Sequence, residues 1–68
     1  MKIIKIQGMT CSHCTAAVES ELKSLGELNF LEVSLENNSA KVEFKTDISD
    51  ETIKNAIEDI GFDVIEIK

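Results

Sequence analysis

Apolar residues along this chain follow two periodicities, one typical of strands and one typical of helices. Ile4 and Ile6 alternate with polar residues, as in a strand that buries one face, and Gly8 ends this run. From about residue 12 the apolar spacing changes to three and four residues, which predicts a first helix over residues 12 to 25. The apolar stripe of this helix comprises Cys14, Ala17, Val18, Leu22 and Leu25.

The first helix has signals at both ends. Thr10 or Ser12 is a suitable N-cap, because a hydroxyl oxygen can accept a hydrogen bond from the first unpaired backbone N–H groups. Gly26 follows the last apolar position, where many helices end on a residue with positive φ. These signals place the helix start between the two cysteines, with Cys11 on the preceding loop and Cys14 in the first turn.

Two further alternating runs predict a β-hairpin over residues 29 to 46. A polar segment of residues 36 to 39 separates them, and its asparagines tolerate the left-handed backbone of a tight turn. The expected inward positions of the two strands are Leu31, Val33, Leu35, Ala40, Val42 and Phe44.

The last third of the chain predicts a second helix and a final strand. Ser49 or Asp50 can cap the helix, and Gly61 closes it. Residues 62 to 67 are rich in strand-forming types and predict the last strand. The apolar stripe of the helix comprises Ile53, Ala56, Ile57 and Ile60.

The order strand, helix, strand, strand, helix, strand indicates the ferredoxin-like βαββαβ fold. Right-handed crossovers then place both helices on one face of a four-stranded antiparallel sheet. Nothing in the sequence suggests a linker, so residues 1–68 are predicted to form a single α+β domain.

Charge and hydropathy narrow the function classes. Thirteen acidic residues oppose seven lysines, with a formal net charge of −6, which makes nucleic acid an unexpected partner. No apolar run approaches the ~20 residues that cross a bilayer, and the N-terminal run is too short for a secretory signal. We therefore expect a cytoplasmic protein without membrane insertion, in a compartment that keeps thiols reduced.

The candidate chemistry lies in residues 8 to 14, Gly-Met-Thr-Cys-Ser-His-Cys. Two thiols at the start of a helix suit a soft metal ion, because thiolate is the binding form and the helix N-terminus favours it. Structural zinc prefers four protein ligands, and this chain has only Cys11, Cys14 and the single His13 to offer. Cu(I) accepts two thiolates, and Hg(II) shares that habit, so the motif alone leaves both open.

Other interpretations of the cysteine pair are weaker. A disulfide between such close positions stabilises a fold little. Incidental core packing does not explain a position in a loop before a helix. A dithiol redox protein of the thioredoxin type resembles a longer chain with tryptophan before the motif and proline beside it, and this chain has neither residue. No catalytic residue is assigned, and the protein is not expected to be an enzyme.

Taken together, the motif at residues 8 to 14, Val18-Glu19, the run Ala40 to Phe44 and the run Ala56 to Phe62 resemble the heavy-metal-associated domain. This family includes copper chaperones and the N-terminal metal-binding domains of copper-transporting P-type ATPases. The resemblance implies that Cys11 and Cys14 bind Cu(I) and that a partner's cysteine pair takes the ion by ligand exchange. It also allows a copper-bridged homodimer, in which a second copy supplies the remaining ligands.

The resemblance assigns roles to four further residues. It implies that Met9 packs under the loop rather than binding metal, and that the neutral Thr10 favours copper over zinc. His13 is expected to be exposed at the helix start, where the resemblance leaves two roles open, tuning of the cysteine pKa values or of a shared-copper dimer; direct ligation by His13 is the lesser alternative. Phe62 is expected to approach the loop, and phenylalanine there resembles the ATPase domains, whereas bacterial chaperones often carry tyrosine and eukaryotic chaperones lysine.

The resemblance leaves two main functions and two lesser ones. A free-standing chaperone is preferred over an ATPase domain, although Phe62 and the acidity favour the domain; a mercury carrier and a dithiol redox protein are the lesser alternatives. Glu27 departs from the family pattern, which usually has glycine followed by valine at 27 and 28, so the shape of that turn is uncertain from sequence.

Overall fold

A computed structural model describes all residues, 1–68. The element order confirms the βαββαβ prediction. The hairpin occupies residues 28 to 44 rather than 29 to 46, and the last strand begins one residue later than predicted. The elements are β1 (Lys2–Gln7), α1 (Ser12–Leu25), β2 (Leu28–Ser34), β3 (Ser39–Phe44), α2 (Asp50–Asp59) and β4 (Asp63–Ile67).

The sheet has the order β2-β3-β1-β4, and every neighbouring pair is antiparallel. Ile4 of β1 lies opposite Ala40 of β3 and Ile67 of β4, so β1 is central. The register between β1 and β4 shifts after Lys5, which leaves Ile65 without a partner and 61% exposed. This topology puts the end of β1 beside the start of β4, and both lead into the loops around the cysteines.

Both helices pack against one face of the sheet, and a single core lies between the layers. The alternation predicted for β1 and β3 is confirmed, because Ile4, Ile6, Ala40 and Val42 are buried and Phe44 is partly buried against the same core. Lys5 and Lys41 are exposed on the opposite face. The buried cluster comprises Ile4, Ile6, Met9, Val18, Leu22, Ala40, Val42, Ile53 and Ile57.

The predicted cap of α1 is wrong. Cys11, rather than Thr10 or Ser12, occupies the N-cap, and no side chain bonds the free N–H groups of the first turn. The Cys11 carbonyl accepts from the N–H groups of Cys14 and Thr15 at 3.0 and 3.3 Å. At the other end, Gly26 has φ 163°, which is extended backbone. The left-handed conformation expected for this glycine is therefore also absent. The N-cap of α1 is thus a cysteine that offers its thiol at the surface and makes no side-chain capping bond.

Two residues of the predicted apolar stripes lie outside the core. Ala17 is exposed because it precedes Val18 by one residue and so points about 100° away from it around the helix. Leu35 is 38% exposed because β2 ends at Ser34 and the turn begins there. The remaining alternation of the hairpin holds, with Leu31 and Val33 packed against the core.

The other predicted end signals are confirmed. Ser49 caps α2, and its hydroxyl accepts a hydrogen bond from the Thr52 N–H at 3.2 Å. Asn38 in the hairpin turn has φ 51°, and Gly61 after α2 has φ 100°. No helix of this fold is long and apolar enough to span a bilayer.

Replacing Ser49 by alanine is expected to lower the free energy of unfolding by about 1 kcal/mol, since it removes the only side-chain cap of α2. Urea unfolding followed by circular dichroism measures this. Ser24→Ala is the matched control, because the Ser24 hydroxyl donates to a carbonyl within the last turns of α1 and caps no free N–H. An equal loss of stability in both variants would contradict the capping role.

Candidate metal centre

The loop after β1 and the first turn of α1 carry the two cysteines on the outside of the molecule. Gly8 leaves the strand with φ 109°, which turns the chain across the end of the sheet. Cys11 is exposed at the helix N-cap, and Cys14 is half-buried in the first turn. The two thiols therefore share one exposed surface instead of lining an enclosed cavity.

The two thiols are close enough to bind one ion. Their Sγ atoms lie 3.7 Å apart, and both cysteines are free rather than disulfide-bonded. Metal–sulfur bonds of about 2.3 Å allow two sulfurs on one ion to be up to roughly 4.6 Å apart. The observed separation thus fits a shared soft ion.

The environment of Cys14 favours its thiolate. A hydrogen bond from the backbone N–H of Thr10, and then one from the Cys11 thiol, lower the pKa of Cys14 below its ordinary value of 9.0, while partial desolvation opposes them. The Thr10 hydroxyl lies 3.9 Å from the Cys14 sulfur and adds a weaker contribution. The expectation of an acidified thiol at the helix start is met at Cys14, mainly through local hydrogen bonds.

Met9 fixes the loop from below. Its side chain is 4% exposed and belongs to the core cluster with Ile4, Ile6 and Val18. The inward packing predicted for Met9 is therefore observed, and its thioether lies in the core. Burying this side chain holds the preceding and following residues of the loop against the protein while the thiols stay outside.

Phe62 supports the loop from the side. Asp63 pairs with Gln7 at the end of β1, and this pairing brings the residue before it next to Gly8. A Cβ atom at Gly8 would lie 3.3 Å from Cδ1 of Phe62, which is tighter than ordinary van der Waals contact. The predicted approach of Phe62 to the loop is therefore observed, and the contact is with the backbone of Gly8.

No third protein ligand joins the cysteines. His13 is exposed on the first turn of α1, and the chain contains no group of three or more His, Cys, Asp or Glu residues placed to hold a metal ion. A tetrahedral structural zinc site is therefore not assembled by this chain alone. The geometry supplies two sulfurs and leaves the outer side free for a ligand from elsewhere.

Sequence reasoning treated Gly8 only as the end of a strand, whereas the structure makes it part of the site. Its positive φ and the ring of Phe62 both require a residue without a side chain. The sequence signal for this role was a glycine between a predicted strand and a methionine that is expected to pack inward. The aromatic contact could not be read from sequence, because it depends on the register between β1 and β4.

The chain matches the heavy-metal-associated domain family over residues 3–63. It belongs to this family. The resemblance noted from the sequence motifs is therefore confirmed, and the matched range runs from the second residue of β1 to the first residue of β4. The matched range includes residues 8 to 14 with both cysteines.

Individual relatives include both of the protein types that the family motifs suggested. The copper chaperone CopZ of Staphylococcus epidermidis is 45% identical over 64 residues, covering 93% of this chain and 94% of that protein. A solved CopZ metallochaperone has a TM-score of 0.85 and 36% identity, covering 96% of this chain and 100% of the other. A copper-binding domain of HMA7, a P-type ATPase, has a TM-score of 0.84 and 37% identity, covering 98% and 92%.

Gly8→Ala is expected to destabilise this heavy-metal-associated domain by about 1–3 kcal/mol, because the new side chain meets Phe62 in a strained backbone region. Gly61→Ala has the strain of positive φ without a contact, so its loss should be smaller. Gly26→Ala, in extended backbone with ordinary contacts, should change stability by less than about 1 kcal/mol. Equal losses for Gly8→Ala and Gly61→Ala in urea unfolding would show that the ring contact is unimportant.

Alkylation by iodoacetamide can measure the lowered pKa of Cys14 in single-thiol variants. Cys11→Ser retains a hydrogen-bond donor and Cys11→Ala removes it. The pH midpoint of Cys14 alkylation should therefore be higher in Cys11→Ala than in Cys11→Ser. Both midpoints should remain below 9.0, because the Thr10 backbone bond persists in each variant. The thiolate fraction near neutral pH should therefore exceed that in urea. Identical profiles in the folded and urea-unfolded proteins would refute the hydrogen-bond account.

Proposed function

We propose that this chain is a cytoplasmic copper chaperone, which carries Cu(I) on Cys11 and Cys14 and delivers it to a copper-transporting P-type ATPase. The observation that carries the proposal is the pair of free thiols 3.7 Å apart on an exposed loop with no third ligand. The CopZ relatives, which are named copper chaperones and match nearly end to end, support the cargo and the role.

Two soft ligands suit Cu(I) better than the alternatives. Zinc prefers four ligands that include nitrogen, sulfur or oxygen donors, and the neutral Thr10 adds no carboxylate to the pair. Thioether and thiolate sulfur select Cu(I) over harder ions. Since Met9 is buried in the core, the two cysteines are the sulfur ligands that the loop offers.

Copper transfer follows from the open side of this site. An incoming thiolate from the partner forms a third sulfur–copper bond, and one of the bonds to this chain then breaks. Cys11 is exposed and Cys14 is half-buried, so the approach is from the Cys11 side. The lowered pKa of Cys14 keeps its sulfur ready as thiolate, and the ion passes between proteins without a change of oxidation state.

The second candidate function is that of an ATPase metal-binding domain. The specific observation in its favour is Phe62, because phenylalanine at this position resembles the ATPase domains, whereas bacterial chaperones often carry tyrosine there. The HMA7 domain also matches this chain as well as CopZ does in solved structures. Sequencing the transcript beyond the codon for Lys68 distinguishes the two. Membrane-spanning segments in the same reading frame would favour the ATPase domain.

The metal assignment is tested by titrating the reduced protein with Cu(I) in competition with a chromophoric chelator. The double variant Cys11→Ser/Cys14→Ser should lose roughly a thousandfold or more in affinity, equivalent to ~4 kcal/mol. Ser12→Ala is the matched control, because Ser12 lies between the cysteines and should leave affinity unchanged.

Parallel titrations with Zn(II) and Hg(II) complete the test. We expect Cu(I) to bind more tightly than Zn(II), since two thiolates leave zinc short of ligands. Tight Zn(II) binding with weak Cu(I) binding, or unchanged Cu(I) affinity in the double variant, would refute the assignment. A preference for Hg(II) in competition with cellular thiols would favour the mercury carrier instead.

A further inference from the structure

The sheet has one face that no other layer covers. Both helices pack against the opposite face, where the core lies. Successive side chains of a strand point to opposite faces, so every second residue of each strand stands on the uncovered side. We call this side, formed by the strand residues that alternate with the core residues, the open face. It is a different surface from the loop that carries Cys11.

Large apolar side chains are exposed on the open face and not on the helices. The chain has four exposed large apolar side chains, and none of them belongs to a helix. Phe30 is 41% exposed and lies opposite Glu43, whereas the next residue, Leu31, packs against the core. Phe30 therefore stands on the open face. Ile65, at the edge of this face, lines a shallow groove together with Lys5. Exposed apolar side chains gathered on one face indicate a surface that a protein covers.

Charge on the open face is nearly balanced, although the chain as a whole is acidic. Three of the seven lysines and four of the thirteen acidic residues stand there, so the face has a net charge of −1 while the whole chain has −6. Two copies of the chain therefore repel one another least when they approach through this face. The charged residues of the face are Lys5, Lys41, Lys68, Glu32, Glu43, Asp63 and Glu66.

Two rows of four residues cross the open face from one edge of the sheet to the other. The register places each residue of a row opposite the next one, and Ile3 exchanges two backbone hydrogen bonds with Lys68, at 3.1 and 2.9 Å. From the β2 edge to the β4 edge, the first row is Glu32, Lys41, Ile3 and Lys68. The second row is Ser34, Ser39, Lys5 and Glu66. The first row thus has an acidic residue at one edge and a basic residue at the other.

We propose that the open face binds the open face of a second copy of this chain, with a two-fold axis that runs along the strands between β1 and β3. Facing sheets pack about 10 Å apart, with their strands aligned to within about 30°. This axis places β2 over β4 of the second copy, and β3 over β1 of the second copy. Because the contact is symmetric, each pair of facing residues occurs twice.

The first row is complementary to itself in this arrangement. Glu32 faces Lys68 of the second copy, and the aliphatic stem of Lys41 covers Ile3 of the second copy. In the isolated chain the exposed carboxylate of Glu32 enters no ion pair. The second copy therefore supplies the opposite charge that Glu32 lacks.

The second row fits the same axis. Ser34 faces Glu66 of the second copy, to which its hydroxyl can donate a hydrogen bond. Ser39 is small and lies under the long side chain of Lys5 of the second copy, so no like charges meet. An axis across the strands would instead place Lys68 opposite Glu66 of the second copy, although these two residues already pair within one chain at 3.6 Å.

The contact is small, so the dimer is weak. Four strands ~4.8 Å apart and about five residues long cover roughly 20 by 17 Å, or ~340 Å². A standard interface buries ~800 Å² on each partner. We therefore expect a dissociation constant in the high-micromolar to millimolar range. The thiols lie outside the open face, so this dimer forms without copper and does not depend on the proposed function.

The test is a charge swap across the interface, with the average mass of the apo protein measured by analytical ultracentrifugation at ~0.15 M salt, where charges more than ~8 Å apart are screened. The wild-type mass should rise toward that of a dimer between micromolar and millimolar concentration. Glu32→Lys and Lys68→Glu should each weaken dimerisation roughly tenfold or more, because each replaces two attractive pairs by two repulsive ones. The double variant Glu32→Lys/Lys68→Glu should return to within about threefold of wild type, since its facing charges are opposite again.

Two controls separate this interface from other effects. Glu51→Lys makes the same change of charge as Glu32→Lys, but on α2 behind the covered face, and should not weaken dimerisation. The variant Cys11→Ser/Cys14→Ser should dimerise like wild type, whereas a copper-bridged homodimer requires both cysteines. Thermal unfolding by circular dichroism establishes that every variant remains folded.

A wild-type protein that stays monomeric up to millimolar concentration would overturn the inference, since the open face would then belong to another partner. Failure of the double variant to recover would also overturn it, because Glu32 and Lys68 would not face one another. Equal weakening by Glu51→Lys, or a dimer that needs both cysteines, would have the same consequence. None of these outcomes bears on Cu(I) binding by the cysteines, so the proposed function stands or fails by its own titration.

Discussion

The fold depends most on how the loop before α1 is held against the core while its thiols stay in water. Met9 is buried among the side chains of both layers, two residues before the exposed Cys11. The contact between Phe62 and Gly8 closes the other side of the loop. The loop is therefore anchored through residues that do not offer a ligand, and the ligand residues need no enclosing cavity.

This arrangement suits a protein that must release what it binds. An enclosed site with a full ligand set gains affinity by closing every coordination position, and release then requires the site to open. Here the two sulfurs lie on the surface, and the backbone N–H of Thr10 is the main group that donates to one of them, Cys14. High affinity and rapid exchange are compatible in such a site, because exchange depends on access by another thiolate rather than on dissociation into water.

Sequence predicted most of the fold because each element buries a regular stripe in one shared core. The predicted burial is wrong at Ala17, which lies beside the apolar stripe of α1, and at Leu35, which lies beyond the end of β2. Sequence also failed at the start of α1, because the requirement for a thiol at Cys11 replaces the usual hydroxyl cap. The spacing of Cys11 and Cys14 predicted that both sulfurs can face one point, and they lie 3.7 Å apart. The role of Gly8 could not be predicted, because it arises from pairing between strands far apart in sequence.

Two kinds of electrostatic interaction act at the same end of the molecule, and their ranges differ. Hydrogen bonds at the cysteines act over the 3.7 Å between the two sulfurs and similar distances, and they determine how readily thiolate forms. The exposed carboxylates of Glu58 and Asp59 act over a Debye length of about 10 Å at 0.1 M salt, so they act on the surroundings of the loop rather than on one bond. Since α2 and the loop before α1 are separate parts of the chain, substitutions at the end of α2 can change the charge around the loop while the hydrogen bonds at the cysteines stay the same.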